Sequence, residues 1–342
     1  MQTQASCAQR ARIWLRAAIA IAALVVSPLS PAANGDPYMQ TILHFFPQAE
    51  EAYLTGSLLK ARDGNLYGIS AMGGASGGGF IYMVTPDGTY SVIHDFVAND
   101  GQSPSVGLME GSDGYFYGIT DQGGPLGHGT IYRFAPSGYF QLLHAFTAHE
   151  PNVGAGPLIE GADGRVYGTL QYGPSDVGAS GAVFSMSMNG DDFVVMHAFA
   201  GPYDAGWPMS GLTIGPDGNF YGATHWRPGG DTHDVTGGSI YQMTPSGDVT
   251  LLYSFASDFS EGIEPSGVIF GSDGNLYGTT GEGGANWSGT IFRLTLQGEM
   301  TTLHAFAQGD GLPRAALIAG ADGLMYGSTD AYYQSPFVYS LA

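Results

Sequence analysis

The sequence predicts an all-β fold, a six-bladed β-propeller of four-stranded blades, and three observations predict it. Asp-Gly recurs at positions 63, 113, 163, 217, 273 and 322, and a Tyr-Gly follows three residues after each Gly. Successive copies stand 50, 50, 54, 56 and 49 residues apart, a period that marks a tandem array whose neighbouring units bury one another's apolar faces. β-Branched and aromatic runs lie between Asp-Gly and Pro-x-Gly pairs, which is the hairpin signature. No helical periodicity appears in the repeats, and 55 glycines oppose long helices.

Taken in order, residues 1–33 read as a secretory signal peptide. Arg10, Arg12 and Arg16 precede a small and apolar run from Ala17 to Val26, and Ser30-Pro31-Ala32-Ala33 offers a small-residue cleavage site near Ala32 or Ala33. The run is too short and wrongly flanked for a membrane span. The only cysteine, Cys7, lies upstream of that run, so the expected mature chain has no thiol, disulfide or lipid anchor and depends on its core for stability. Residues 34–342 are expected to form one propeller domain.

The second copy shows the unit. Ser105 to Glu110 reads as a first strand, Ser112-Asp113-Gly114 as a tight turn and Tyr115 to Thr120 as a second strand. A glycine-rich loop from Asp121 to Gly129 leads to a third strand, Thr130 to Ala135; Pro136-Ser137-Gly138 turns the chain into a fourth, Tyr139 to Phe146. Four-stranded meanders repeated around an axis are propeller blades. The two ends predict ring closure. Thr41 to Phe46 matches a fourth strand, and the chain stops after a third strand at Phe337 to Leu341, so the N-terminal strand is expected to complete the sixth blade and bring the total to 24.

Asp273-Gly-Asn-Leu-Tyr-Gly-Thr-Thr280, followed by Gly-Glu-Gly-Gly-Ala and then Ser288-Gly-Thr-Ile-Phe-Arg-Leu294, resembles the GloVer tandem repeat of exported bacterial proteins, called choice-of-anchor after their varied C-terminal sorting segments. The resemblance covers essentially the whole mature chain. It implies an exported, propeller-like protein and supplies no catalytic residues. Nothing follows Ala342 that would serve as an anchor, so a free periplasmic or secreted protein is expected.

Removing the leader takes away three of the ten basic residues and none of the thirty acidic ones, which leaves a net charge of −23. Such a surface repels phosphate backbones and anionic lipid, so no nucleic acid and no membrane insertion are expected, and a monomer is expected.

Repetition separates scaffold from candidate site. His44, His94, His144, His197 and His304 share one strand position with Tyr253, and a ring spreads such residues apart, so they read as packed or hydrogen-bonded strand residues rather than as ligands of one metal. The six Asp-Gly aspartates read as turn formers, the six tyrosines as packing residues, and the glycine after each tyrosine as a point of close packing or a bulge. The Asp-Gly and Pro-x-Gly turns close one face. The loops between second and third strands and those between blades emerge on the other, where binding and catalysis usually sit.

Outside the repeat pattern, that irregular face collects Trp207, Trp226 and Trp287, the histidines His128, His149, His225 and His233, and carboxylates that include Asp204, Asp231, Asp234, Glu264 and Glu282. Exposed rings stack on sugar C–H faces while carboxylates accept hydroxyl protons, so a carbohydrate or other polyhydroxyl ligand is the expected class. Trp207, Trp226, Trp287, His225, His233, Asp231, Asp234, Asp204, Glu282 and Arg227 are the candidate ligand-binding residues. A protein-interaction scaffold is an alternative. So is a hydrolase with paired carboxylates, or a lyase that uses His225 or His233 with Tyr172 or Tyr332 and Arg227 or Arg314 to neutralise a uronate. No cofactor is expected: the His-x7-His spacing does not fit zinc, and a structural calcium held by loop carboxylates is left open. The glycine-rich loops lack a following helix and a Gly-Lys-Ser/Thr ending, so they do not read as phosphate cradles.

Overall fold

The computed structural model describes residues 43–44, 46, 52–150, 154–174, 178–200, 206–226 (Trp226 by its backbone), 237–256, 258–330 and 337–341. The chain divides into two compact units, Met1–Phe45 and Phe46–Ala342, and the second carries all the described strands. These form six antiparallel sheets arranged as the blades of a propeller.

Blade 1 contains β1 (Leu54–Lys60), β2 (Leu66–Ser70), β3 (Phe80–Val84) and β4 (Tyr90–Asp95). Blade 2 contains β5 (Gln102–Pro104), β6 (Met109–Glu110), β7 (Phe116–Gln122), β8 (Thr130–Phe134) and β9 (Phe140–Ala145). Blade 3 contains β10 (Ile159–Glu160), β11 (Arg165–Leu170), β12 (Ala182–Ser187) and β13 (Val194–Ala198). Blade 4 contains β14 (Gly206–Pro208), β15 (Thr213–Ile214), β16 (Phe220–Trp226), β17 (Ser239–Met243) and β18 (Val249–Ser254). Blade 5 contains β19 (Ile263–Phe270), β20 (Leu276–Glu282), β21 (Thr290–Leu294) and β22 (Met300–Ala305). Blade 6 contains β23 (Ile318–Ala319), β24 (Met325–Ser328) and β25 (Val338–Leu341).

There are 25 described segments rather than 24 because the first strand of blades 2 and 4 breaks into two pieces, while blade 6 has three described strands. The expected closing strand, residues 41–46, lies largely outside the described residues, and its pairing with them. Phe46 is described: its ring meets Tyr82 of blade 1 edge-on at 5.1 Å, as Phe96 meets Tyr132 of blade 2 at 5.0 Å.

The repeated residues explain the blades. In all six, the Asp of Asp-Gly accepts a hydrogen bond from the Tyr hydroxyl four residues on, at 2.5–2.9 Å. Its other oxygen accepts the amide two residues on. The turn is thereby tied to the strand it launches. The glycine after each tyrosine is a point of close approach: a Cβ on Gly118 would lie 2.3 Å from the Tyr132 hydroxyl, and one on Gly168 would lie 2.5 Å from Phe184. These rings stand directly opposite the glycines in register, so close packing is the glycine's role. The bulge falls instead between the third and fourth strands, for example at Ile131/Tyr132.

Each core cluster among the described residues spans two blades. Ile69, Ile81 and Phe96 of blade 1 pack with Phe116, Tyr132 and Phe134 of blade 2, and four more clusters join blades 2–3, 3–4, 4–5 and 5–6. Full burial of such a side chain stabilises the fold by about 1.5–3 kcal/mol. The strand histidines brace the same junctions. The His94 ring stacks on Phe140 of the next blade at 3.8 Å, and its Nε2 lies 2.9 Å from Asp100; His144 stacks on Phe193 at 3.9 Å with Glu150 at 3.3 Å.

The first strands lie nearest the axis, where neighbouring backbones almost touch. A Cβ on Gly56 would come within 2.8 Å of Gly107, and one on Gly156 within 1.9 Å of Gly211. Those glycines let the inner strands crowd around a narrow centre.

Candidate functional site

Where the second strand leaves its sheet on the loop face, four residues beyond each repeat tyrosine, stand Ala71, Asp121, Gln171, His225, Gly281 and Asp330. The tyrosines beneath them are identical in all six blades, whereas these rim residues all differ except for two aspartates. The inner strand of each blade enters on the same face. The two sets together form the mouth, the axial end of the loop face.

Buried hydroxyl pairs fix the rim from below. Thr120 and Thr130 share a hydrogen bond at 2.9 Å, as do Thr280 and Thr290, and Thr224 bonds Ser239 at 2.7 Å. Thr130 Oγ1 donates to the Asp100 carbonyl and Thr290 Oγ1 to that of Glu261, which anchors the inter-blade loops.

Asp121 accepts from Ser105 Oγ at 2.6 Å. Burial pushes its pKa up to about 6, against the pull of Ser105 and of the Gly154 amide in blade 3. A carboxyl in that range keeps its proton into mildly acidic conditions, where an ordinary aspartate is ionised, and is itself ionised at neutral pH. His225 is also partly buried. Burial, and then the charge of Arg314, hold its pKa down to about 4, so the imidazole is neutral in ordinary conditions. Arg314 itself reaches across two blades: it bonds Glu282 Oε1, with Asp330 Oδ2 at 3.4 Å and Glu264 Oε2 at 3.9 Å. Its stem runs beside Gly281, whose Cβ would sit 3.4 Å from Arg314 Cγ.

An aromatic wall flanks this polar mouth. Trp207 lies in β14, an inner-strand segment rather than the loop expected, because the first strand of blade 4 is split. Its backbone φ is +54°, and Ser103 and Glu264 adopt the same conformation before the corresponding prolines. For a bulky side chain this costs on the order of 1–2 kcal/mol. The Trp207 amide donates to Ser180, and its ring, 40% exposed, meets that of Tyr172, 45% exposed, edge-on at 6.3 Å. Gln171 Nε2 contacts Met209 Sδ beside them.

Of the sequence-derived candidates, His225 and Glu282 both lie around Arg314, Trp207 joins Tyr172, and Trp287 packs on a different ring, Phe259, at 5.9 Å. Trp226 ends β16, and its side chain is not described. Asp204, Arg227, Asp231, His233 and Asp234 lie outside the described residues. Among the described residues no three His, Cys, Asp or Glu side chains are grouped as metal ligands. Asp121 and Asp330, which the sequence places among the loop-face carboxylates, and Arg314, which it offers as a uronate partner, do not stand among the candidate ligand-binding residues. The signal was the variable column four residues after an invariant tyrosine.

A repeat-family model described as the Gloeobacter/Verrucomicrobia repeat matches residues 29–225 and 177–336. No match is found among curated proteins. Among solved structures, an oligogalacturonate lyase from Vibrio parahaemolyticus is similar at 13% identity and TM-score 0.54, covering 85% of this chain and 76% of that one. An oligogalacturonate lyase in complex with manganese is similar at 14% and 0.51, covering 81% and 70%. A puromycin hydrolase is similar at 15% and 0.55, covering 82% of this chain and 44% of that one. At these identities the likeness is one of fold.

Proposed function

The chain belongs to the Gloeobacter/Verrucomicrobia repeat family, and from that premise we propose that it is an exported propeller that binds a saccharide, or a ligand of like polyhydroxyl chemistry, at the loop-face mouth. The observation that carries this reading is the exposed Tyr172–Trp207 pair beside the variable polar rim. Ring faces stack on sugar C–H surfaces, while Asp121, Gln171 and His225 offer hydroxyl partners of three kinds.

Charge narrows the ligand. Arg314 is engaged by Glu264, Glu282 and Asp330, so the described residues around it are net anionic and favour neutral or amino-bearing sugars over uronates. That argues against carrying over a uronate-cleaving activity from the oligogalacturonate lyases through Arg314, which three carboxylates already engage. A second reading, hydrolysis, draws on Asp121 alone: a carboxyl with a pKa near 6 suits a general acid.

A glycan array with the mature chain, followed by calorimetry on each hit, tests the proposal. Trp207→Ala and Tyr172→Ala are expected to weaken binding at least about tenfold without changing the fold, the scale of one lost aromatic contact. Absence of any glycan hit, or unchanged affinity in both variants, sinks it and favours a protein-interaction scaffold.

A further inference from the structure

Blade 5 carries another aromatic pair, the half-buried Phe259 and the exposed Trp287, and the repeat itself supplies the control. The loop between second and third strands is the same hairpin in blades 1, 2 and 5, closed by Gly77 N to Gly74 O, Gly127 N to Gly124 O and Trp287 N to Gly284 O. The closing residue has φ +72° at Gly77, +79° at Gly127 and +61° at Trp287. Blade 5 therefore places an indole where blades 1 and 2 use glycine, in the backbone region that favours glycine. Phe259 is the counterpart of Ala98, since each carbonyl accepts the amide of the second loop glycine, Gly284 or Gly124. It too has a positive φ, +61°.

The left-handed conformation of Trp287 gains no burial that would explain it: the residue is 62% exposed, beside a half-buried Phe259. The rings meet edge-on at 5.9 Å. Asn286 Nδ2, next to Trp287, donates to the carbonyl of Phe306, just past the outermost strand of the blade. This pair thus stands toward the outer part of the loop face, whereas Trp207 stands on an inner strand. Asp258 and Ser260, exposed on either side of Phe259, supply hydrogen-bonding groups beside the rings.

We propose that Phe259 and Trp287 form a second saccharide subsite, so that a long chain is held at two points of the face and a short one only at the mouth. The inference builds on the saccharide reading of the mouth. Linking two weak contacts through one polymer multiplies affinity without any new contact at either.

The probes are glucosamine oligomers and cello-oligosaccharides of two and of ten units, titrated against the full mature chain and followed by tryptophan fluorescence and calorimetry. Trp287→Gly installs the residue found at Gly77 and Gly127, so the loop keeps its conformation. The expected result is a loss of at least tenfold in affinity for the ten-unit chain, unchanged affinity for the two-unit one, and a melting temperature equal to or above that of the parent. Phe259→Ala is expected to repeat the binding pattern. A melting temperature clearly lowered by Trp287→Gly, with unchanged binding of long chains, overturns the subsite and makes the pair structural. If short oligomers bind and long ones gain nothing, the subsite is refuted while the mouth stands. If long chains need Trp287 but not Trp207, the subsite stands and the mouth reading falls. If neither length of either sugar binds, both are refuted.

Discussion

Ser105 donates a hydrogen bond to Asp121 at 2.6 Å, from the inner-strand region of blade 2 to the rim end of its second strand. The contact does not offset the carboxylate's loss of water, and burial leaves the pKa at about 6, above the ordinary 3.8. The native chain thus holds this proton more tightly than the unfolded one, so the carboxylate's cost to stability is absent below about pH 4 and complete above about pH 6. Asp121→Asn should gain on the parent as pH rises through that window, by on the order of 2 kcal/mol. Urea unfolding at pH 4 and pH 7.5 measures it, and a pH-independent difference contradicts it.

His225 has the opposite slope. Its folded pKa of about 4 lies below the ordinary 6.5, so its contribution is complete above about pH 6.5 and is lost as pH falls toward about 4. Arg314→Met removes the smaller of the two causes. The NMR titration midpoint of His225 should move upward yet stay below 6.5, because burial remains. An unmoved midpoint would show that Arg314 exerts no influence on the ring.

Two glycines of one blade should respond differently to alanine. Gly118→Ala drives a methyl group to 2.3 Å from the Tyr132 hydroxyl and is expected to cost about 2–4 kcal/mol through overpacking. Gly114→Ala meets nothing within 4 Å and suffers only from its φ of +82°, a cost of about 1 kcal/mol. Comparable losses in thermal or urea unfolding would refute the close-packing account.

Two buried tyrosines make a similar contrast. The Tyr117 hydroxyl donates to Asp113 at 2.6 Å and Met188 O at 3.1 Å, so Tyr117→Phe should destabilise by about 1–3 kcal/mol. The Tyr132 hydroxyl has no hydrogen-bond partner among the described residues, and Phe184 and Phe292 stand opposite the corresponding glycines of blades 3 and 5. Tyr132→Phe should therefore be neutral or stabilising by urea unfolding; a loss as large as that of Tyr117→Phe contradicts the assignment.

The scaffold was legible because it repeats. Asp113, Tyr117 and Gly118 recur in every copy, and each has a local role that a strand-and-turn reading supplies. The histidines proved legible in kind but not in partner, since the ring that His94 stacks on belongs to another blade. The mouth was harder to read. Asp121, His225 and Arg314 come from different repeats, and nothing local indicates that Arg314 would gather Glu264, Glu282 and Asp330. Trp207 read as a loop residue because a two-piece inner strand leaves no alternation of period two to recognise. Trp207 and Trp287 take different aromatic partners, Tyr172 and Phe259, a pairing that their loop positions in the sequence do not encode.

Because every described core cluster is shared between two neighbours, no blade owns an interior. Excising one repeat would leave two half-cores facing water instead of a smaller intact protein. Gain or loss of copies in such a chain is thus a change in how many wedges fill a circle, and it succeeds only when every remaining junction can be re-cut to the new angle.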